Sequence, residues 1–173
     1  IATATDVTVN GNTSVCINSG TSLTATSSTV TNPIFTWYDD AALTNVVFIG
    51  TTLVTGNLTA DKTYYITVKG DNRCENQAGD VRSVTVTVNS RSTGADLTVS
   101  PTTERCGPGS VTLTASTTTV TNPVFTWYSD ATLTTVAGTG ASFTTPILVA
   151  SQTYYVTVRG DNKCENLPAD AKT

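Results

Sequence analysis

Cys16, Cys74, Cys106 and Cys164 are the side chains in this sequence best suited to covalent chemistry, and the last two repeat the first two 90 residues later. Thiols either pair as disulfides or hold a metal. A zinc site would need histidine or a Cys-x-x-Cys pair, and the 173 residues contain no histidine and no such pair. Disulfides formed in an oxidising, extracytoplasmic setting are the stronger reading. The second chemical group is the segment Gly70-Asp71-Asn72-Arg73-Cys74-Glu75-Asn76, which returns as Gly160-Asp161-Asn162-Lys163-Cys164-Glu165-Asn166. Asp71, Glu75, Asp161 and Glu165 are candidate calcium ligands, because Ca²⁺ takes about 6–8 oxygens from such loops. Gly-Asp-Asn is also the composition of a tight turn, where these residues tolerate positive φ. The turn is the stronger reading, calcium the weaker one, and no other cofactor is implied.

Enzyme chemistry finds little to work with. Without histidine, the Ser-His and Cys-His nucleophile arrangements are closed. A glycosidase needs two converging carboxylates, whereas the acidic residues here fall in predicted loops and recur in both copies, as solvated positions do. The net charge of −4 argues against nucleic acid as a partner. No apolar run reaches the roughly 18 residues that would span a membrane.

The elements that position these residues follow the same doubling. TNPIFTWYDDAALT and TYYITVKGDNRCEN reappear as TNPVFTWYSDATLT and TYYVTVRGDNKCEN. Threonine and valine dominate, and both suit a half-buried pleated strand. Alternation predicts strands near 6–10, 21–26, 34–38, 45–49, 51–58, 63–69 and 81–88. In the second copy it predicts 96–100, 111–116, 124–128, 142–145 and 153–159. Short strands at this spacing, with no helical period, indicate an all-β chain of two tandem immunoglobulin-like antiparallel sandwiches. Trp37 and Trp127 would plug the cores, with Tyr64 and Tyr154 at the start of the next long strand as further anchors. Phe48 and Phe143 are the aromatics whose exposure would favour glycan binding.

The domains read as 6–89 and 96–173, with 90–95 as a loose polar linker and the second domain short of its last strand. Residues 1–5 alternate and read as an orphan strand, part of a neighbouring module's last strand. Laid end to end, 171–173 and 1–5 resemble Val81 to Val88. That predicts one link of a longer series, or subunits joined by strand addition. Two disulfide patterns are open: Cys16–Cys74 with Cys106–Cys164 inside each copy, or Cys16–Cys164 across the junction. In a sandwich of this topology the two cysteines of one copy sit at opposite ends, about 20 Å apart by rise per residue. A disulfide needs Cα atoms about 4.4–6.8 Å apart.

Cys106-Gly107-Pro108-Gly109-Ser110-Val111-Thr112-Leu113-Thr114-Ala115-Ser116 resembles the opening of an immunoglobulin-like repeat of large secreted and surface proteins of Bacteroidota. Thr126-Trp127-Tyr128, 140–146, Thr153-Tyr154-Tyr155-Val156 and Cys164-Glu165 fit the same pattern. The first copy departs from it at Cys16-Ile17-Asn18-Ser19-Gly20 and over 50–58. The resemblance implies an extracellular or cell-surface location, and it carries over no catalytic residue. The expected function is a non-catalytic stalk or fibre segment of an adhesin, with neighbouring repeats or identical subunits as partners. The alternatives are a glycan-binding accessory region of a polysaccharide-degrading enzyme, and a filament subunit closed by strand exchange.

Overall fold

The computed structural model describes residues 1–101 and 104–173. Two compact units divide the chain, Ile1–Val88 and Asn89–Thr173. Each is built from strands and 3₁₀ turns, with no α-helix among the described residues.

The first unit contains β1 (Thr8–Gly11), β2 (Ser14–Cys16), β3 (Ser22–Thr26), β4 (Ile34–Tyr38), β5 (Val46–Ile49), β6 (Thr52–Val54), β7 (Lys62–Lys69) and β8 (Arg82–Asn89). One sheet runs β1-β3-β6 and the other β2-β8-β7-β4-β5. Alternation decides which side chains meet between them. Tyr64, Ile66 and Val68 of β7 share one face of the strand and join the core with Phe35, Trp37, Leu23, Ala25 and Val86. The opposite positions carry threonine, which pairs across strands: the Thr63 and Thr85 hydroxyls lie 2.8 Å apart and those of Thr24 and Thr52 3.2 Å apart.

The second unit holds β9 (Thr98–Val99), β10 (Thr112–Ser116), β11 (Val124–Tyr128), β12 (Val136–Thr139), β13 (Ser142–Thr144) and β14 (Tyr155–Arg159). Its sheets run β13-β10-β9 and β12-β11-β14. Trp127 pairs in register with Val156, as Trp37 pairs with Ile66 in the first unit. Where β8 lines β7 from Arg82 onward, β14 meets the single bridge Val156–Lys172.

Three expectations need correction. Residues 1–5 are not a strand: Ala4–Asp6 is a 3₁₀ turn, and Ala2 is fully buried in the first unit's core. The Ala2 amide donates to the Cys74 carbonyl at 2.8 Å. The cause is Asp6, whose Oδ2 accepts from the Thr3 amide at 2.8 Å and the Thr3 hydroxyl at 3.1 Å. This capping box closes a turn that apolar alternation alone does not foresee.

Nor is 90–95 a loose linker. Gly94–Asp96 forms the same 3₁₀ turn, with Thr93 and Asp96 as its capping box. Ser92 is completely buried and its amide donates to the Cys164 carbonyl at 2.8 Å. Ile1 and Ala2 therefore correspond to Arg91 and Ser92, not to the last strand of a module. Finally, the predicted strand at 51–58 contracts to Thr52–Val54, while β2 and β12 are additional strands.

Candidate functional site

The loop after β7 gathers several chemistry-bearing residues, Asp71, Arg73, Cys74 and Glu75, and its copy after β14 gathers Asp161, Lys163, Cys164 and Glu165. Gly70 and Arg73 exchange backbone hydrogen bonds of 3.0 and 3.3 Å, which close a tight turn over Asp71 and Asn72. Gly70 has to be glycine: a Cβ there would lie 2.2 Å from the Thr31 carbonyl oxygen. That close approach lets the turn dock on the loop between β3 and β4. The Asp71 amide donates to the Thr31 carbonyl at 3.0 Å. Asn72 Oδ1 accepts from the Thr31 amide at 2.8 Å and its Nδ2 donates to the Thr29 carbonyl at 3.0 Å. Asp71 Oδ2 accepts from Asn32 Nδ2 at 2.7 Å.

Glu75 faces the other way, onto the sheet. Its Oε1 accepts from the Thr67 hydroxyl at 2.6 Å and from the Tyr38 hydroxyl at 3.4 Å, and Lys69 Nζ stands 3.8 Å from Oε2. Asn76 is buried and replaces a strand partner: its Oδ1 accepts the Val68 amide at 2.8 Å and its Nδ2 donates to the Asp80 carbonyl at 3.0 Å. The second copy repeats the set. Asp161 accepts from Asn122 at 2.6 Å, Glu165 from Thr157 at 2.5 Å and from Tyr128 at 2.8 Å, and Asn166 from the Val158 amide at 2.8 Å. Burial, followed by the hydrogen bond to Glu165, raises the Tyr128 hydroxyl pKa.

Asp71 and Glu75 thus point to different neighbours, as do Asp161 and Glu165. Among the described residues no three Cys, Asp or Glu side chains cluster as metal ligands. One oxygen of each carboxylate, Oδ2 of the aspartates and Oε1 of the glutamates, braces the loop against its own unit.

The cysteines differ in state. Cys16 and Cys164 are disulfide-bonded, whereas Cys74 and Cys106 are free and exposed. Neither within-copy pair is formed, since each has one free member. Geometry within the first unit gives the reason. β2, which ends at Cys16, adjoins β8 near Thr87, beside the start of β7 at Lys62. Cys74 follows the far end of β7, about 20 Å away at the rise of a strand.

Trp37 is fully buried and its Nε1 donates to the Gly50 carbonyl at 3.0 Å; Trp127 donates to the Gly140 carbonyl at 2.9 Å. Tyr64 is buried, which raises its hydroxyl pKa, and Tyr154 is partly buried. The other two aromatics diverge. Phe143 packs in the second core, its centroid 5.7 Å from Trp127 and 5.2 Å from Tyr154. Phe48 on β5 is 37% exposed, flanked by exposed Val47 and Ile49. Their counterparts 90 residues away are Leu53 and Gly138. A Cβ on Gly138 would fall 2.5 Å from the Phe143 ring, so the larger ring on β13 is matched by the missing side chain on β12.

The sequence reading passed over Asp6 and Asp96. Both are buried yet charged, held by hydrogen bonds from a threonine hydroxyl, Thr29 at 2.5 Å and Thr119 at 2.6 Å. Arg73 and Lys163 lie 3.6 and 3.5 Å away. The threonine bonds, ahead of the capping amides and the cations, hold both carboxyls below their ordinary pKa. The signal was present as Thr-x-x-Asp at 3–6 and again at 93–96.

A family model described as "Ig-like domain CHU_C associated" matches residues 3–89 and 95–173. Both copies match, including the first with its divergent opening, in keeping with the resemblance read from the second. No curated protein matches the chain. Among the described residues no helix is long and apolar enough to cross a membrane.

Proposed function

We propose, for a chain that belongs to the family of CHU_C-associated Ig-like domains, a non-catalytic structural role as two modules of a stalk in a secreted or cell-surface adhesin. The family is typically non-catalytic and occurs in extracellular proteins. The observation that carries this reading is the loop after β7 and its copy after β14. Their carboxylates, amides and glycine brace the sandwich twice over in the same way, a repetition that suits a structural module. Antiparallel ladders around β7, tied at one end by these braces, resist being pulled apart.

The proposal extends to the disulfide. A bridge from Cys16 to Cys164 is supported by the bonded state of both and the free state of Cys74 and Cys106. Such a bridge would shield most of the chain from extension. Single-molecule pulling from the two termini tests it. The oxidised chain should extend only by its short ends. Reduction should release the segment between the cysteines, on the order of 500 Å at about 3.3–3.6 Å per residue. Equal contour lengths before and after reduction would refute the bridge.

One observation favours a second reading, glycan binding: Phe48 stands exposed on edge strand β5, and exposed aromatic faces stack on sugars. A glycan array with the full chain decides between them. Signal abolished by Phe48→Ala promotes the accessory-region reading, and a blank array supports the stalk.

A further inference from the structure

We propose that Cys106 of one copy of this chain and Cys74 of a second copy form a matched pair that joins the copies head to tail through a disulfide. This rests on the reading of structural modules in series and names the joint. The two bonded cysteines comprise one of each positional type: Cys16, at the end of β2, and Cys164, in the loop after β14. The two free ones again comprise one of each type. In sequence Cys106 is the counterpart of Cys16, although it lies in a bend and not at a strand end, and Cys74 is the counterpart of Cys164, each 90 residues apart.

The loop around Cys74 has the same build as the one around bonded Cys164. Each cysteine carbonyl accepts an amide at 2.8 Å, from Ala2 and Ser92 respectively. Each following glutamate is clamped by a strand threonine, at 2.6 and 2.5 Å. Each asparagine after that caps a buried strand amide at 2.8 Å. The Cys74 backbone is therefore held as in the copy that carries a disulfide, while its side chain is exposed. Its own unit offers no partner, because Cys16 lies at the opposite end of β7 and is already bonded. A contact between unlike surfaces leaves each joined copy with one unused group of each kind, so it propagates as a series that is open or closes into a ring.

The chemistry balances with a small-molecule disulfide as oxidant. The Cys74 thiolate attacks glutathione disulfide and expels one glutathione thiolate. The Cys106 thiolate of the second copy then attacks the Cys74 sulfur of that mixed disulfide and expels the other. Two protein thiols are oxidised, one glutathione disulfide is reduced to two thiols, and the two protons pass to solvent.

The test uses the full chain in a glutathione redox buffer, read by non-reducing electrophoresis and by mass spectrometry of linked peptides. The wild type should give a ladder of multimers that reductant collapses to monomer. Cys74→Ser and Cys106→Ser should each remain monomeric, and an equimolar mixture of the two should yield a dimer carrying only a Cys106–Cys74 link. Unchanged thermal melting of both variants checks their folding. A wild type that stays monomeric, a link between like cysteines, or a Cys74–Cys106 link within one copy overturns the proposal. None of these results touches the structural-module reading, which the glycan array decides separately.

Discussion

Replacing Gly138 with alanine should destabilise the second unit, although the same change in an ordinary strand is neutral or favourable. The backbone of Gly138 is not in the left-handed region, so alanine meets no torsional penalty, and restricting the unfolded chain would by itself contribute about 0.4–1 kcal/mol of stability. The obstacle is space. The new Cβ would sit 2.5 Å from Cδ2 and 2.9 Å from Cε2 of Phe143. That ring is stacked on Trp127 at 26° and meets the edge of Tyr154, so it cannot swing aside without losing both contacts. Overpacking of this kind costs about 1–3 kcal/mol, which leaves a net loss of about 1–2 kcal/mol after the unfolded-state gain. Phe143→Leu installs the side chain that position 53 carries in the first unit and vacates the space. The double variant should then be more stable than the sum of the two single losses, by a coupling of about 1–2 kcal/mol. Because two units need not unfold together, urea titration should be followed by amide-resolved NMR intensities of the second unit. A Gly138→Ala variant as stable as wild type, or strict additivity with Phe143→Leu, would refute the reasoning.

Ser92 is fully buried with its hydroxyl unpartnered, and the first unit has Ala2 in its place. Ser92→Ala should therefore stabilise the second unit by about 1 kcal/mol in the same titration, and Ala2→Ser should destabilise the first by a similar amount. Gly160→Ala would place a Cβ 2.2 Å from the Thr121 carbonyl oxygen. It should cost about 2–3 kcal/mol and speed hydrogen exchange at Asp161 and Thr121. Acid should weaken both units through Asp6 and Asp96. Their folded pKa values lie below the unfolded value near 3.8, so their stabilisation is complete above that value and is lost as pH falls through the folded pKa. Urea midpoints should fall below about pH 4, and Asp6→Asn with Asp96→Asn should flatten that fall.

Much of the fold is legible from local pattern. β3, β4, β7, β8, β11 and β14 lie where alternation places them, because a period of two makes one face of each strand apolar whatever it packs against. Trp37, Ile66 and Val68 are core residues for the same reason. Duplication helped as well, since the turn at 70–76 and its copy could be read against each other. The ends of the modules were less legible. Ile1-Ala2-Thr3-Ala4-Thr5 alternates like a strand, and only the carboxylate of Asp6, reached by Thr3 from one side and Thr29 from the other, turns it into a 3₁₀ cap. The polar stretch at 90–95 is folded down by the same device from Asp96 and Thr119.

What the sequence by itself determined is the alternation of strand and turn, the two cores and the doubling, all properties of residues a few positions apart. Tertiary structure alone decided three things: which carboxylates brace which strands, why Gly138 must stay small beneath Phe143, and which two of four equivalent cysteines are bonded. Each depends on atoms brought together from residues far apart in the chain. Two copies with nearly the same local pattern can therefore differ at such points, and it is there that Cys74 and Cys106 remain free to react.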